Sequence, residues 1–229
     1  MKAGIISDAH GNLAALQLSL NFLLKCQQVD CIFYLGDAIG YFPDSAAVCS
    51  LLDHSCDVCL MGNHEYMLLH GNTRDEMAQV YKHPPKESLP QGWLRKVAEC
   101  GPKTRRTVCG CKILLVHGTP ANPLDGRMDK TVGAVADADA DVILMGHSHR
   151  PHIARSPDGT LLLNPGSCGY PRDHGELLSV ATLSLPEMEA RIWRLPFRLE
   201  PQKTDLLHPM VRSCLGRTAT DIVGTIIDI

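Results

Sequence analysis

The chain has no apolar run approaching the length of a membrane span, which takes about 20 consecutive apolar residues. It does not open on a cationic segment followed by a long apolar one either, since MKAGIISDAH passes directly into a short strand pattern. Both absences point to a cytoplasmic protein with no membrane partner. An excess of basic residues is missing too: Lys and Arg number 22 against 25 Asp and Glu, a net charge of −3, so the footprint of a nucleic-acid binder is not there. Mild acidity leaves anionic substrates open, because bound metal ions can supply local positive charge. Ten cysteines are present, but the second C-x-x-C pair that a zinc ribbon needs is not. Cys56 and Cys59 lie against an apolar strand, Cys109 and Cys111 form only a C-x-C, and all ten are read as reduced thiols that behave as small hydrophobes. Three hydrolase signatures are also lacking. There is no H-x-H-x-D-H of a metallo-β-lactamase. Residues 166–169 read GSCG where a serine hydrolase needs G-x-S-x-G, and the first strand ends Asp8-Ala9-His10 instead of D-x-D.

What is there centres on residues 141–149, DVILMGHSH: a short apolar run stops at Gly146 and delivers His147 and His149 at i and i+2. The same arrangement recurs in AGIISDAH (3–10), CIFYLGD (31–37), DVCLMGNH (57–64), KILLVHG (112–118) and TLLLNPGS (160–167). In an open α/β sheet, ligands bind beyond the carboxyl ends of the strands, so these scattered endings are expected to converge on one place. The residue types they supply, Asp, His and Asn, suit borderline-hard divalent metals.

With 229 residues, 45% apolar and 21% charged, one main domain is expected. Leu13, Leu16, Leu20, Leu23 and Leu24 recur at helical spacing over 12–26, and a strand at 31–35 completes a β-α-β unit. Asp44 is placed as the N-cap of a helix through Asp53, followed by a strand at 57–61. Residues 65–100 interrupt the alternation with an insertion of two helices near the site: one opened by the capping box TRDE (73–76) and running to about Lys82, one over about 89–99. A hairpin turning near Gly110 ends on His117, and a helix is expected over 126–138. After His149 the pattern becomes antiparallel, with a turn at SPDG (156–159) and strands at about 160–164, 177–184 and 189–195. Parallel units followed by hairpins suit two sheets packed face to face with helices outside. The tail reads as a weak helix broken by Pro209 and a terminal strand in TDIVGTIIDI. The motifs close near Leu195, so the domain is drawn at 1–196. The tail, 197–229, is expected to serve packing or self-association and to be dispensable for the site.

Asp8, His10, Asp37, Asn63, His117, His147 and His149 are side chains enough for two cations sharing one carboxylate, with Asp37 suited to bridge and Gly36 letting the backbone come close. Two such ions would activate water for attack on a phosphoryl group.

The segments ISDAHGN (6–12), LGDAIGY (35–41), LMGNHE (60–65), LLVHGTP (114–120), LMGHSH (144–149) and LLNPGSCG (162–169) resemble, in order, the motif set of calcineurin-like metallophosphoesterases, and most of all the small single-domain prokaryotic members. The resemblance spans roughly residues 1–195. It implies an α/β (α+β) fold, a four-layer αββα sandwich of two mixed sheets flanked by helices. It also implies hydrolysis of a small phosphodiester or phosphomonoester by a hydroxide activated at a dinuclear centre of Mn, Fe, Co, Ni or Zn. Asp8, His10 and His149 would hold the first metal, Asn63, His117 and His147 the second, and Asp37 would bridge. His64, the catalytic candidate, would contact the phosphate with Asn63 and protonate the leaving group. Glu65 stands where the family carries the Asp that orients this histidine. Arg172 is a second phosphate-contact candidate, whereas His83, His152 and His174 are read as structural or surface residues and Tyr41 as packing. A non-catalytic binding scaffold on the same fold is the alternative, disfavoured because every ligand position is filled.

Overall fold

Continuous apolar runs mark strands buried on both faces, and the first of them, Lys2–Ile6 (β1), lies at the middle of a six-stranded sheet in the computed structural model. The structure describes residues 1–71, 75–127 and 139–227. After β1 come α1 (Leu13–Asn21), continued by a π-helical turn over Phe22–Cys26, β2 (Cys31–Tyr34), α2 (Ser45–Ser55), β3 (Val58–Cys59), α3 (Asn63–His70), α4 (Asp75–Tyr81) and α5 (Gln91–Cys100). The second half holds β4 (Lys103–Val108), β5 (Cys111–Val116), β6 (Val142–Met145), β7 (Pro151–Arg155), β8 (Leu161–Pro165), β9 (Leu177–Ser184), β10 (Glu189–Pro196), α6 (Pro201–Asp205), α7 (Pro209–Leu215) and β11 (Thr225–Ile226). One sheet runs β11-β10-β9-β1-β2-β3 and the other β4-β5-β6-β8-β7. Both are mixed: β1, β2 and β3 are parallel, as are β5, β6 and β8, while β9, β10, β4 and β7 pair antiparallel. The expected architecture of two mixed sheets with helices is therefore the one that forms.

Adjacent residues of the inner strands divide between layers, as the period of two requires. Ile5, Ile113, Leu115, Val142 and Leu144 meet between the sheets. Ile6 instead packs with Leu16, Leu20, Val48, Leu52 and Trp93 under the helices of the first sheet. Leu114, Val116, Ile143 and Met145 line the outer face of the second. The helix expected over 126–138 falls largely outside the described residues, as does the start of the TRDE segment.

Several boundaries differ from the sequence reading. The strand at 57–61 shrinks to the two residues of β3, and β7, whose burial alternates, is an additional strand. The insertion carries a further helix, α3, which starts at Asn63 and ends at Gly71 in the left-handed conformation (φ 69°). Its first turn is polar because those residues serve the site, and that hides its periodicity. Asp44 does precede α2, but its side chain makes no capping bond. Pro209 does not break a helix: it is the first residue of α7, where a missing N–H costs nothing. Among the described residues of the terminal segment, Thr225–Ile226 form the strand, parallel to β10. Nor does the tail stand apart, for α7 buries Val211 and Cys214 against Tyr41, Phe42 and Tyr170, the wall behind the strand ends.

Candidate metal centre

Asp8 and His10 follow β1, Asp37 follows β2, Asn63 and His64 follow β3, His117 follows β5, and His147 with His149 follow β6. Asp8, His10, Asp37, His147 and His149 all adopt positive φ, between 49° and 62°. For non-glycine residues this conformation costs of order 1–3 kcal/mol each. It is held by a lattice of backbone bonds: Asp8 N–H to Gly36 O at 2.9 Å, His10 N–H to Asp37 O at 3.0 Å and Gly146 N–H to His117 O at 2.9 Å. The NPGS segment at the end of β8 (164–167) gives no ligand candidate but locks these turns. Ser167 Oγ donates to Asp8 O at 2.7 Å, and Asn164 Nδ2 to Gly146 O at 2.7 Å. Gly36 (φ +102°) makes room for protein and not for ions. A Cβ there would lie 2.7 Å from His117 Nδ1 and 2.8 Å from Gly62 N.

The seven ligand candidates come together. Metal-binding atoms of Asp8, His10, Asp37 and His149 lie within 4.8 Å of one another, as do those of Asp37, His117 and His147, with Asp37 common to both groups. Asn63 Oδ1 stands 3.1 Å from His117 Nε2 and 3.0 Å from His147 Nδ1. Three histidines have one nitrogen committed to a backbone carbonyl. His10 Nδ1 reaches Ile39 O at 3.0 Å, His117 Nδ1 reaches Leu35 O at 2.7 Å and His149 Nδ1 reaches Tyr170 O at 2.6 Å. A carbonyl only accepts, so each Nδ1 carries the proton, and in the neutral ring Nε2 keeps its lone pair. His10 Nε2 and His149 Nε2 face each other at 3.1 Å, and His149 Nε2 is 3.4 Å from Asp8 Oδ1.

Burial governs the electrostatics. It lowers His10 to about 4 and His147 to about 3, and it holds His149 and His64 well below the usual imidazole range, so these rings are neutral at pH 7. Burial raises Asp8 to about 7. For the Asp37–His117 pair, burial opposes both charges, but mutual attraction at 3.4 Å outweighs it: Asp37 lies well below its usual range and His117 rises to about 9.

Glu65 takes a different place from the one expected. Its carboxylate accepts from the N–H groups of Asp37 (2.9 Å), Ala38 (2.8 Å), Ile39 (3.2 Å) and Gly62 (2.7 Å), tying the β2 loop to the start of α3. Burial, then the Asp37 carboxylate, pull it up to about 7, while Gly62 and Asp37 N–H pull the other way. His64 N–H donates to Asp37 Oδ1 at 2.9 Å, and the His64 ring meets His83 Nε2, 2.9 Å from its Nδ1. His83, read from the sequence as a structural or surface residue, is therefore at the site. Tyr41 is there too, its ring 4.6 Å from that of His10 and 5.0 Å from that of His64. Nothing in the spacing of the sequence marks His83, which reaches His64 only through the path of the insertion; the positive φ of Tyr41 after Gly40 is likewise a product of the fold. Arg172 is half-buried beside the cluster, its guanidinium 3.4 Å from Tyr41 Oη and over the Tyr170 ring. His152 lies on β7 and His174 bridges to Thr218, and neither joins the cluster.

Two mixed sheets whose parallel strands end in a buried Asp/His cluster able to hold metal define a metallophosphoesterase class of fold. A family model for the calcineurin-like phosphoesterase superfamily domain matches residues 1–188, and the chain belongs to that superfamily. An uncharacterized protein of Methanocaldococcus jannaschii is 27% identical over 93% of this chain and 94% of its own length. Among solved structures, a metallophosphoesterase from Sphaerobacter thermophilus is 22% identical with a TM-score of 0.75. A hypothetical protein from Pyrococcus horikoshii OT3 is 16% identical with a TM-score of 0.78, and each comparison covers 94% of this chain and 98% of the other. Among the described residues, no helix is long and apolar enough to cross a membrane.

Proposed function

We propose that this protein is a metal-dependent phosphoesterase that hydrolyses a small phosphodiester or phosphomonoester at a centre of two divalent ions, drawn from Mn, Fe, Co, Ni and Zn. One observation carries the reading. Both carboxylate oxygens of Asp8 are buried without a hydrogen-bond partner, and beside them the Nε2 atoms of His10 and His149 show each other lone pairs at 3.1 Å. Such a set is repulsive by itself and becomes favourable around a cation. Asp8, His10 and His149 would hold one ion, Asn63, His117 and His147 the other, with Asp37 shared. Bound there, the ions would lower the pKa of water and offset charge on the phosphoryl oxygens.

The protein's own groups supply the rest. His64, buried beside Asn63, is suited to hold the phosphate and to give a proton to the departing oxygen. The half-buried Arg172, held against Tyr41 and Tyr170, offers the substrate a positive charge. We place the protein in the cytoplasm, a reading supported by ten unpaired cysteines. The test is to strip the purified protein, reload it with each of the five metals and assay a panel of mono- and diesters. Restoration of hydrolysis by at least one metal is expected. Two ions bound per chain with no ester cleaved would favour a binding scaffold, and failure to bind any metal would sink the reading.

A further inference from the structure

The family position that orients the catalytic histidine is filled here by Glu65, yet both Glu65 oxygens are spent on four backbone N–H groups. Something else must hold the His64 ring. His83 Nε2 lies 2.9 Å from His64 Nδ1, with the two rings nearly perpendicular at 80° and their centroids 4.9 Å apart. The contact is built rather than incidental. Gly40, at φ +92°, leaves space in which a Cβ would lie 2.6 Å from His64 Nδ1. The chain just before His83 is pinned on both sides: Tyr41 N–H donates to Tyr81 O at 2.5 Å, and Lys82 Nζ donates to Leu206 O at 3.0 Å. The Tyr81 ring packs edge-on against His64 and stacks on His83.

We infer that His83 is the positioning residue for His64: its Nε2 accepts a hydrogen bond from His64 Nδ1–H, fixing the ring's orientation and leaving His64 Nε2 as the nitrogen that serves the substrate. The inference rests on the phosphoesterase reading. During cleavage His64 Nε2, whose lone pair is free in the resting neutral ring, takes up a proton from solvent and hands it to the departing oxygen, while the Nδ1–H stays on His83. A carboxylate on the neighbouring residue is thus replaced by an imidazole delivered from the insertion between β3 and β4. Its position depends on α4 and, through Lys82, on the tail.

The test compares wild type, His83→Ala and His83→Gln, each full-length and zinc-loaded. Nitrogen-15 imidazole spectra, with His64 assigned from the signals missing in His64→Gln, read the tautomer directly. Wild type is expected to hold His64 as one tautomer with Nδ1 protonated, and His83→Ala to show a mixture. Loss of such an outer partner is typically worth about 10- to 100-fold. His83→Ala should therefore lower kcat by that amount on an alkyl phosphoester, with little change on a nitrophenyl ester, whose good leaving group needs no proton. KM and zinc content should hold. Gln keeps an acceptor near the Nε2 position and should recover most of the loss. Unchanged His64 nitrogen shifts in His83→Ala, or equal losses on both esters, would overturn the role. If wild type cleaves no ester with any metal, the phosphoesterase reading fails instead, and the spectra still decide whether the two rings are paired.

Discussion

At the residue scale, ligand type and position set what each side chain can do. Asp37 borders both metal-binding groups, Asn63 touches the His117–His147 side, and His64 packs edge-on against the ring of His10 while its Nδ1 meets His83. Elemental analysis should accordingly find both ions reduced in Asp37→Ala, chiefly one lost in Asn63→Ala and both kept in His64→Ala. Two ions retained per chain in Asp37→Ala would remove its shared role. The titration of the cluster gives a second prediction. Metal-free His117, raised to about 9, holds a proton at pH 7 that a cation must displace. Proton and metal compete for the same nitrogen, so affinity rises with pH until that group has lost its proton at about 9. Calorimetry at pH 7 in buffers of different ionisation enthalpy should show proton release on binding. Affinity independent of pH from 6 to 9 would contradict the charged Asp37–His117 pair.

At the element scale, the telling pieces are short. Helix α7 brings only Val211 and Cys214 into the core, but both pack on Tyr41, Phe42 and Tyr170, whose rings wall the cluster. Val211→Ala removes buried volume from that contact and should cost about 2 kcal/mol. For a chain of this size that is a fall in Tm of roughly 4–8 °C. Calorimetry checks it: a shift below 1 °C would show that the tail is a loose cover. Helix α3 makes a related point, since its first turn is held by Asp37 Oδ1 and Glu65, so the helix and the site fold together.

For the whole molecule, a buried cluster of carboxylates and imidazoles, with only His117 among the imidazoles charged, is a liability until cations bind it. Ligand linkage stabilises the folded state by about 2.7 kcal/mol at a free concentration 100 times Kd. Reloading the stripped protein with one of the five metals at that level should thus raise Tm by roughly 5–10 °C. Thermal scans with and without chelator measure this. An unchanged Tm would mean that the cluster holds no ion tightly in the native protein.

Most of the strands and turns, the strand-end polar residues and the two-sheet architecture were legible in the sequence, because apolar runs ending on Asp, His or Asn obey local periodicity and turn rules that act within a few residues. The convergence of Asp8, His10, Asp37, Asn63, His117, His147 and His149 belongs to that readable part, since they follow the ends of five strands. The tertiary structure decided the rest. The use of Glu65 on backbone N–H groups, the start of α3 at Asn63, the packing of α7 on the site wall and the meeting of His83 with His64 all depend on how distant segments approach in space. His83 and His64 are 19 residues apart, with the rest of α3 and the whole of α4 between them. No spacing rule links such positions, because only packing, which acts across the whole molecule at once, determines which side chain fills the space that Gly40 leaves open.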